Sequence, residues 1–243
     1  MSSRIPLCIL FALITFTSLT AQGQDNNPAH IPALPPAQEG DIICHCVSTF
    51  LPKNNQIFYF KIGSSFHKVS LAGEGMSLPF PVRESTTFTL YKKTPEGKDA
   101  PPYVPVVQQA LQGGGKKFLV ILSRKDDKSP IKGKAYNISK TQRPANNIYL
   151  FNESPVAIGI QVNKTQGVVK PFKKYKYAYP NASRNTYTSA NIIMRYKGEK
   201  RIMASKRLRL IPNRRIILVC FLSKSRANLG ATPLRMITYQ DMP

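Results

Sequence analysis

An all-β fold, two tandem immunoglobulin-like sandwiches of about seven strands each, is what this sequence predicts, and three observations predict it. Short runs rich in β-branched and aromatic residues recur between turn signals every ~8–12 residues, the signature of a sandwich or barrel. No long segment has helical periodicity; Val106 to Gln112 is the one helical candidate, and it is short and runs into three glycines, so it reads as a strand. The stretch Gly114 to Arg124 (GGKKFLVILSR) returns as Pro212 to Lys224 (PNRRIILVCFLSK): a turn, two cations, an apolar run, then Ser and a cation. A repeat with a period near 100 residues is domain-sized, so it means tandem domains and not a solenoid.

Taken in chain order, residues 1–23 read as a secretory signal. Arg4 supplies the basic n-region, Leu7 to Leu19 is apolar, and Ala21-Gln22-Gly23 offers small residues for cleavage. The apolar stretch is shorter than the ~20 residues of a membrane span, and no later window is long and apolar enough. Residues 24–40 (QDNNPAHIPALPPAQEG) lack a period, and Pro32, Pro35 and Pro36 argue against a helix, so they form a flexible or polyproline-like leader. The mature chain is therefore expected to be exported, secreted or periplasmic, with no transmembrane segment.

The first domain spans 41–140. Its expected strands are Ile42 to Phe50, Gln56 to Ile62, Phe66 to Leu71, Thr86 to Lys92, Val104 to Leu111 and Lys117 to Ser123, separated by turns at Pro52 to Asn55, Gly63 to Ser65, Gly73 to Gly75 and Gly113 to Gly115. In Phe58-Tyr59-Phe60-Lys61-Ile62 the alternation puts Phe58, Phe60 and Ile62 on one face. The second domain spans 141–243. Asn147 to Asn152, Val156 to Val162, Gly167 to Pro171, Lys174 to Tyr179, Tyr187 to Tyr196, Lys200 to Leu210, Arg215 to Ser223 and Leu234 to Tyr239 read as its strands, and the approach to Tyr136 resembles the approach to Tyr239. The junction is expected between Ser139 and Ala145. Immunoglobulin hallmarks are missing, since the chain has no Trp and no cysteine pair at the expected separation, which leaves the strand topology open.

Catalytic chemistry has few candidates. A general acid or base needs a tuned partner, and the histidines are only His30 in the leader, His45 between two cysteines and His67 after a turn. Asp126-Asp127 reads as a solvated hairpin turn. Gly113-Gly114-Gly115-Lys116-Lys117 has the composition of a phosphate cradle, but a strand follows it where a helix N-terminus is required, so it reads as a hairpin turn. Cys44-His45-Cys46 holds metal-type ligands, yet on a strand the two thiols share one face and His45 the other, and structural zinc takes about four ligands. Once Cys8 is removed with the signal segment, they and Cys220 make an odd set of three, which reads as free, buried thiols acting as small hydrophobes. Neither a metal nor a cofactor is expected, and the chain does not read as an enzyme. Asn-x-Ser/Thr triplets at Asn137, Asn152, Asn163 and Asn181 matter only in a glycosylating secretory pathway.

Charge points to a partner. The 243 residues carry 35 Lys and Arg against 12 Asp and Glu, a formal net charge of +23. Residues 40–140 hold a net +8 and residues 141–243 a net +16, so the second domain carries most of the field. A field of that sign concentrates polyanions. Along Lys173-Lys174-Tyr175-Lys176-Tyr177-Ala178-Tyr179 a strand separates the lysines from the tyrosines, and Lys206-Arg207-Leu208-Arg209-Leu210 separates arginines from leucines in the same way. Lys173, Lys174, Lys176, Arg195, Arg207 and Arg209 are the candidate anion contacts, with Tyr175 and Tyr177 for stacking. The expected function is a non-enzymatic binding or structural protein of the cell envelope that contacts an anionic polymer or lipid head group, or nucleic acid if it is extracellular. The solubility alternative is that each strand solvates its cations separately.

In architecture alone the chain resembles periplasmic pilus chaperones, which are exported, basic and built of two immunoglobulin-like domains. That resemblance implies a protein partner held through a strand edge. A hydrolase with a binding domain is the weaker rival.

Overall fold

Alternation at two-residue period and Gly- or Asn-centred turns build an all-β chain, seen here in a computed structural model that describes residues 34–50, 57–95, 97, 100–126, 128–179, 186–196, 198–223 and 234–241. The signal segment, the Pro52 to Asn55 turn and the Asn181 triplet lie outside the described residues. Sixteen strands are present among them. The first eight are β1 (Ile42–Ser48), β2 (Phe58–Ile62), β3 (Ser65–Val69), β4 (Phe80–Val82), β5 (Thr87–Lys93), β6 (Tyr103–Ala110), β7 (Lys117–Ser123) and β8 (Lys132–Asn137). The second eight are β9 (Asn147–Asn152), β10 (Ile158–Val162), β11 (Thr165–Val169), β12 (Lys174–Ala178), β13 (Thr186–Tyr196), β14 (Glu199–Leu210), β15 (Arg215–Leu222) and β16 (Leu234–Asp241).

They form four sheets of four strands: a first sheet β4-β1-β7-β8, a second β3-β2-β5-β6, a third β12-β9-β15-β16 and a fourth β11-β10-β13-β14. Raising every strand number of the first two sheets by eight reproduces the other two. The parallel pairing of β1 with β7 recurs as β9 with β15. Eight strands stand in each half where about seven were expected. In the first half β4 and β8 are the unexpected ones: β4 is three residues long with a central proline, tolerated on an edge strand, and β8 is Lys- and Gly-rich, half-buried after an exposed Lys132.

Three apolar clusters explain the layering. Cys44, Phe58, Phe60, Phe80, Phe88, Phe118 and Val120 fill the space between the first and second sheets. Ile148, Leu150, Ile160, Ile192, Leu208, Ile216 and Leu218 do the same between the third and fourth. A third cluster, Val47, Leu119, Ile121, Tyr149, Phe151, Ile217, Val219 and Phe221, joins the first sheet to the third. The sheets thus stack second, first, third, fourth. This accounts for the repeated apolar runs, because β7 and β15 are central strands with a core on each face, and such strands lose their polar alternation. Burying each large aliphatic or aromatic side chain contributes ~1.5–3 kcal/mol.

The contact between first and third sheets has approximate two-fold character. Tyr136 of β8 and Tyr239 of β16 hold equivalent places, opposite Leu119 and Ile217 respectively. Each reaches into the other half: Tyr136 donates to Glu153 Oε1 at 2.5 Å and packs on Phe151, while Tyr239 Oη meets His45 Nε2 at 2.9 Å. Buried Glu74 accepts from Ser223 Oγ at 2.7 Å and Arg235 Nη1 at 2.9 Å across the same contact.

Two local expectations change. The two cations ahead of each repeated apolar run read as the polar entry to a central strand, but Arg215 is fully buried, donating to the Arg143 carbonyl at 2.7 Å from the face it shares with Ile217. The Gly113 to Gly115 segment is not a hairpin either: it carries the chain from β6 in the second sheet to β7 in the first, with Gly113 and Gly114 at positive φ. The end of the leader is also more tied down than a free linker, since Leu34 packs against the first core and Gln38 N–H donates to Asp41.

Candidate anion-binding face

The candidate cations separate into two groups. Lys174 and Lys176 lie on β12, the edge of the third sheet, paired with Phe151 and Tyr149, so they point to the side turned toward the first half. Both are exposed, as is Lys173 just before the strand. Partial burial pulls the Lys174 ammonium below its usual range, and the nearby Arg143 guanidinium adds to the effect. Tyr175 and Tyr177 alternate to the opposite side, opposite Leu150 and Ile148, and pack against the core of the second half. The Tyr175 ring covers Gly167, where a Cβ would come within 2.8 Å of it. Their rings are therefore occupied by the core and do not share a face with the lysines.

Arg195, Arg207 and Arg209 form the second group, all exposed on the outer face of the fourth sheet. Register defines that face row by row. Tyr187 pairs with Arg209 and Ser189 with Arg207 at one end; Asn191 with Ser205 follows; Ile193 with Ile202 comes next; and Arg195 with Lys200 closes the other end. Gln161 and Gln166 extend the third row and Gly159 and Val168 the fourth. The two cationic ends stand roughly 20 Å apart, six residues of strand. Arg207 lies over the Tyr187 ring at 4.4 Å, and Tyr187 is 57% exposed, so this ring belongs to the surface and not to the core. Ile202 and Val168 are also open to solvent on this face. Among the described residues no carboxylate forms an ion pair with Arg195, Arg207 or Arg209, whereas neighbouring Arg201 is paired with Glu199 at 2.7 Å.

Sequence reading named the arginines, and Lys200 beside Arg195 at the Gly198 turn, but not Tyr187. The signal for Tyr187 was its place in Thr186-Tyr187-Thr188-Ser189-Ala190, where alternation sends Thr188 and Ala190 inward and Tyr187 outward.

The other candidate groups are placed away from this face. Cys44, Cys46 and Cys220 are free and buried; desolvation pushes the Cys44 and Cys220 thiols up to about 12 and Cys46 higher still, so they stay protonated. His45 points away from the two cysteines, toward Tyr239. No group of three or more His, Cys, Asp or Glu side chains able to hold a metal occurs among the described residues. Asp126 Oδ1 accepts the backbone N–H groups of Lys128 and Ser129, a local turn contact. Asn152 is fully buried, its amide spent on the carbonyls of Val156, Val169 and Lys170. No described helix is long and apolar enough to cross a membrane. No protein-family model matches this chain, and no curated protein matches it in sequence.

Proposed function

We propose that this chain is an exported, non-enzymatic binding protein of two tandem immunoglobulin-like sandwiches, meeting between Ser139 and Ala145, whose second domain takes an anionic envelope polymer or lipid head group. One observation carries the reading: Arg195, Arg207 and Arg209 share one exposed sheet face with an exposed Tyr187 under Arg207, and no described carboxylate pairs with the three arginines. Guanidinium groups are weakly hydrated forks that suit phosphate, sulfate and carboxylate. The lysines of β12 belong to a different sheet and contribute to the general field that draws a polyanion in.

The experiment is binding of the full chain to heparin and to vesicles of anionic lipid, each over a series of salt concentrations. Affinity falling steeply with salt supports the reading, as counterion release requires; affinity independent of salt, or no binding to either, overturns it. Strand-edge partnership, as in an assembly chaperone, is disfavoured by the charges that line the long edge strand β14, since Lys and Arg on an edge discourage strand addition.

A further inference from the structure

We infer that the first half carries a separate site, for a neutral pyranose sugar, in a groove at the edge of the second sheet where β2 and β5 stop pairing beside the end of β4. The groove measures about 260 Å³ and is lined by the buried Phe60 and Val82, by Lys61 and Gly63 at the β2–β3 turn, by Arg83 to Ser85 before β5, and by Thr87, Thr89 and Tyr91 along β5. That volume lies below the ~300–1,000 Å³ of sites for drug-sized ligands, the scale of a single sugar ring.

Three features of the lining select the ligand. Its charges cancel: Arg83 is tied through two hydrogen bonds of 3.0 Å to buried Asp41, which leaves Lys61 and Glu84, one of each sign. An uncharged ligand therefore suits it better than an anion. It offers both hydrogen-bonding roles: the Glu84 carboxylate accepts, the Lys61 ammonium donates, and the Thr87 and Thr89 hydroxyls can do either. It also has an aromatic wall, Tyr91, held edge-on against Phe66 at 5.1 Å, and Phe66 in turn stacks on Tyr103 at 4.0 Å, with Tyr59 against Tyr103 at 4.9 Å. A pyranose has this same make-up, one apolar C–H face and a rim of hydroxyls.

Glu84 sits at φ 54, a left-handed conformation that favours glycine, and its exposed side chain stands at the groove. The same conformation occurs at Glu74, Asn146, Asn163, Phe172 and Asn213, so what sets Glu84 apart is its place in the lining.

The test is a titration of the isotope-labelled full chain with cellotetraose, maltotetraose and chitotetraose to millimolar concentration, followed by amide NMR. The expected result is a shift at Lys61, Gly63, Thr87, Thr89 and Tyr91 with at least one of the three, unchanged by added salt. Glu84→Gly should weaken that binding about tenfold while leaving the melting temperature no lower, because glycine relieves the backbone. Thr89→Val keeps the shape and should weaken it as well. No shift at the groove with any of the three sugars overturns the proposal, and so does undiminished binding by Glu84→Gly. Salt-sensitive shifts confined to the fourth sheet also overturn it, and would assign the sugar to the arginine face instead.

Discussion

The outer faces of the second and fourth sheets are the same surface built twice and finished differently. Tyr59 pairs with Tyr91 in the second sheet, and the equivalent pair in the fourth is Gly159 with Ile193. Phe66 gives way to Gln166 across the same register, while cations gather on β13 and β14. Behind these faces little differs in kind: Phe58, Phe60 and Ile62 point into one core as Ile158, Ile160 and Val162 point into the other. The inner face answers to packing, where a wrong volume costs free energy at once. Solvent makes no such demand on the outer face, so the two copies could become an aromatic surface and a basic one without disturbing the sheets beneath.

That comparison can be broken, most forcefully at the arginines. Replacing Arg195, Arg207 and Arg209 together by Ser should lower affinity for anionic vesicles on the order of 100-fold, at about 1 kcal/mol for each basic residue near an anionic surface. The equilibrium urea midpoint should hardly move, since all three side chains are exposed. A smaller effect is expected from writing the second half's residue into the first. Tyr59→Gly removes a ring packed on Tyr103 and puts glycine inside a strand, which should cost about 2 kcal/mol by urea unfolding. Loss of only a few tenths would mean the aromatic surface contributes nothing to its sheet.

Acid should separate the halves next. Hydrogen bonds from Arg83 and then from the Gln38 N–H hold the Asp41 carboxyl below its ordinary 3.8. A carboxyl lowered in the folded state stabilises it fully above the unfolded value and loses that contribution as pH falls through the folded value. Below about pH 4 the first half should therefore weaken first, because Asp41's counterpart in the second half is Ala145, which cannot titrate. Amide exchange at Ile42 and Ile43 against Ile148 and Tyr149 over pH 2 to 6 measures this; Asp41→Asn should abolish the difference. The smallest effect belongs to Tyr187→Ala, which removes the ring beneath Arg207 and should weaken vesicle binding roughly threefold to fivefold, the worth of an exposed cation–π contact.

Legibility from sequence followed the physics of each feature. All eight strands of the second half could be read, because each combines alternation or an apolar run with a turn on either side. In the first half Phe80-Pro81-Val82 was too short to show a period, and Lys132 to Asn137 (KGKAYN) has no apolar alternation and no fully buried position to impose one. The arginines of β14 were visible as outward positions beside Leu208 and Leu210. Tyr175 and Tyr177 showed the limit of that logic: period two says that tyrosines and lysines face opposite ways, but not which side is core.

Length, patterning and charge in the sequence by themselves determined an all-β chain, a repeated central strand and a second half far more basic than the first. These are local or additive properties, set by two-residue alternation, turn residues and counting. Only the tertiary structure decided that the first and third sheets bury a core between them, that Arg215 lies inside while Arg207 and Arg209 lie outside, and that the candidate cations divide between two sheets. Those outcomes depend on which face of a strand meets another sheet, and a side chain's place in a strand carries no record of what will be packed against it.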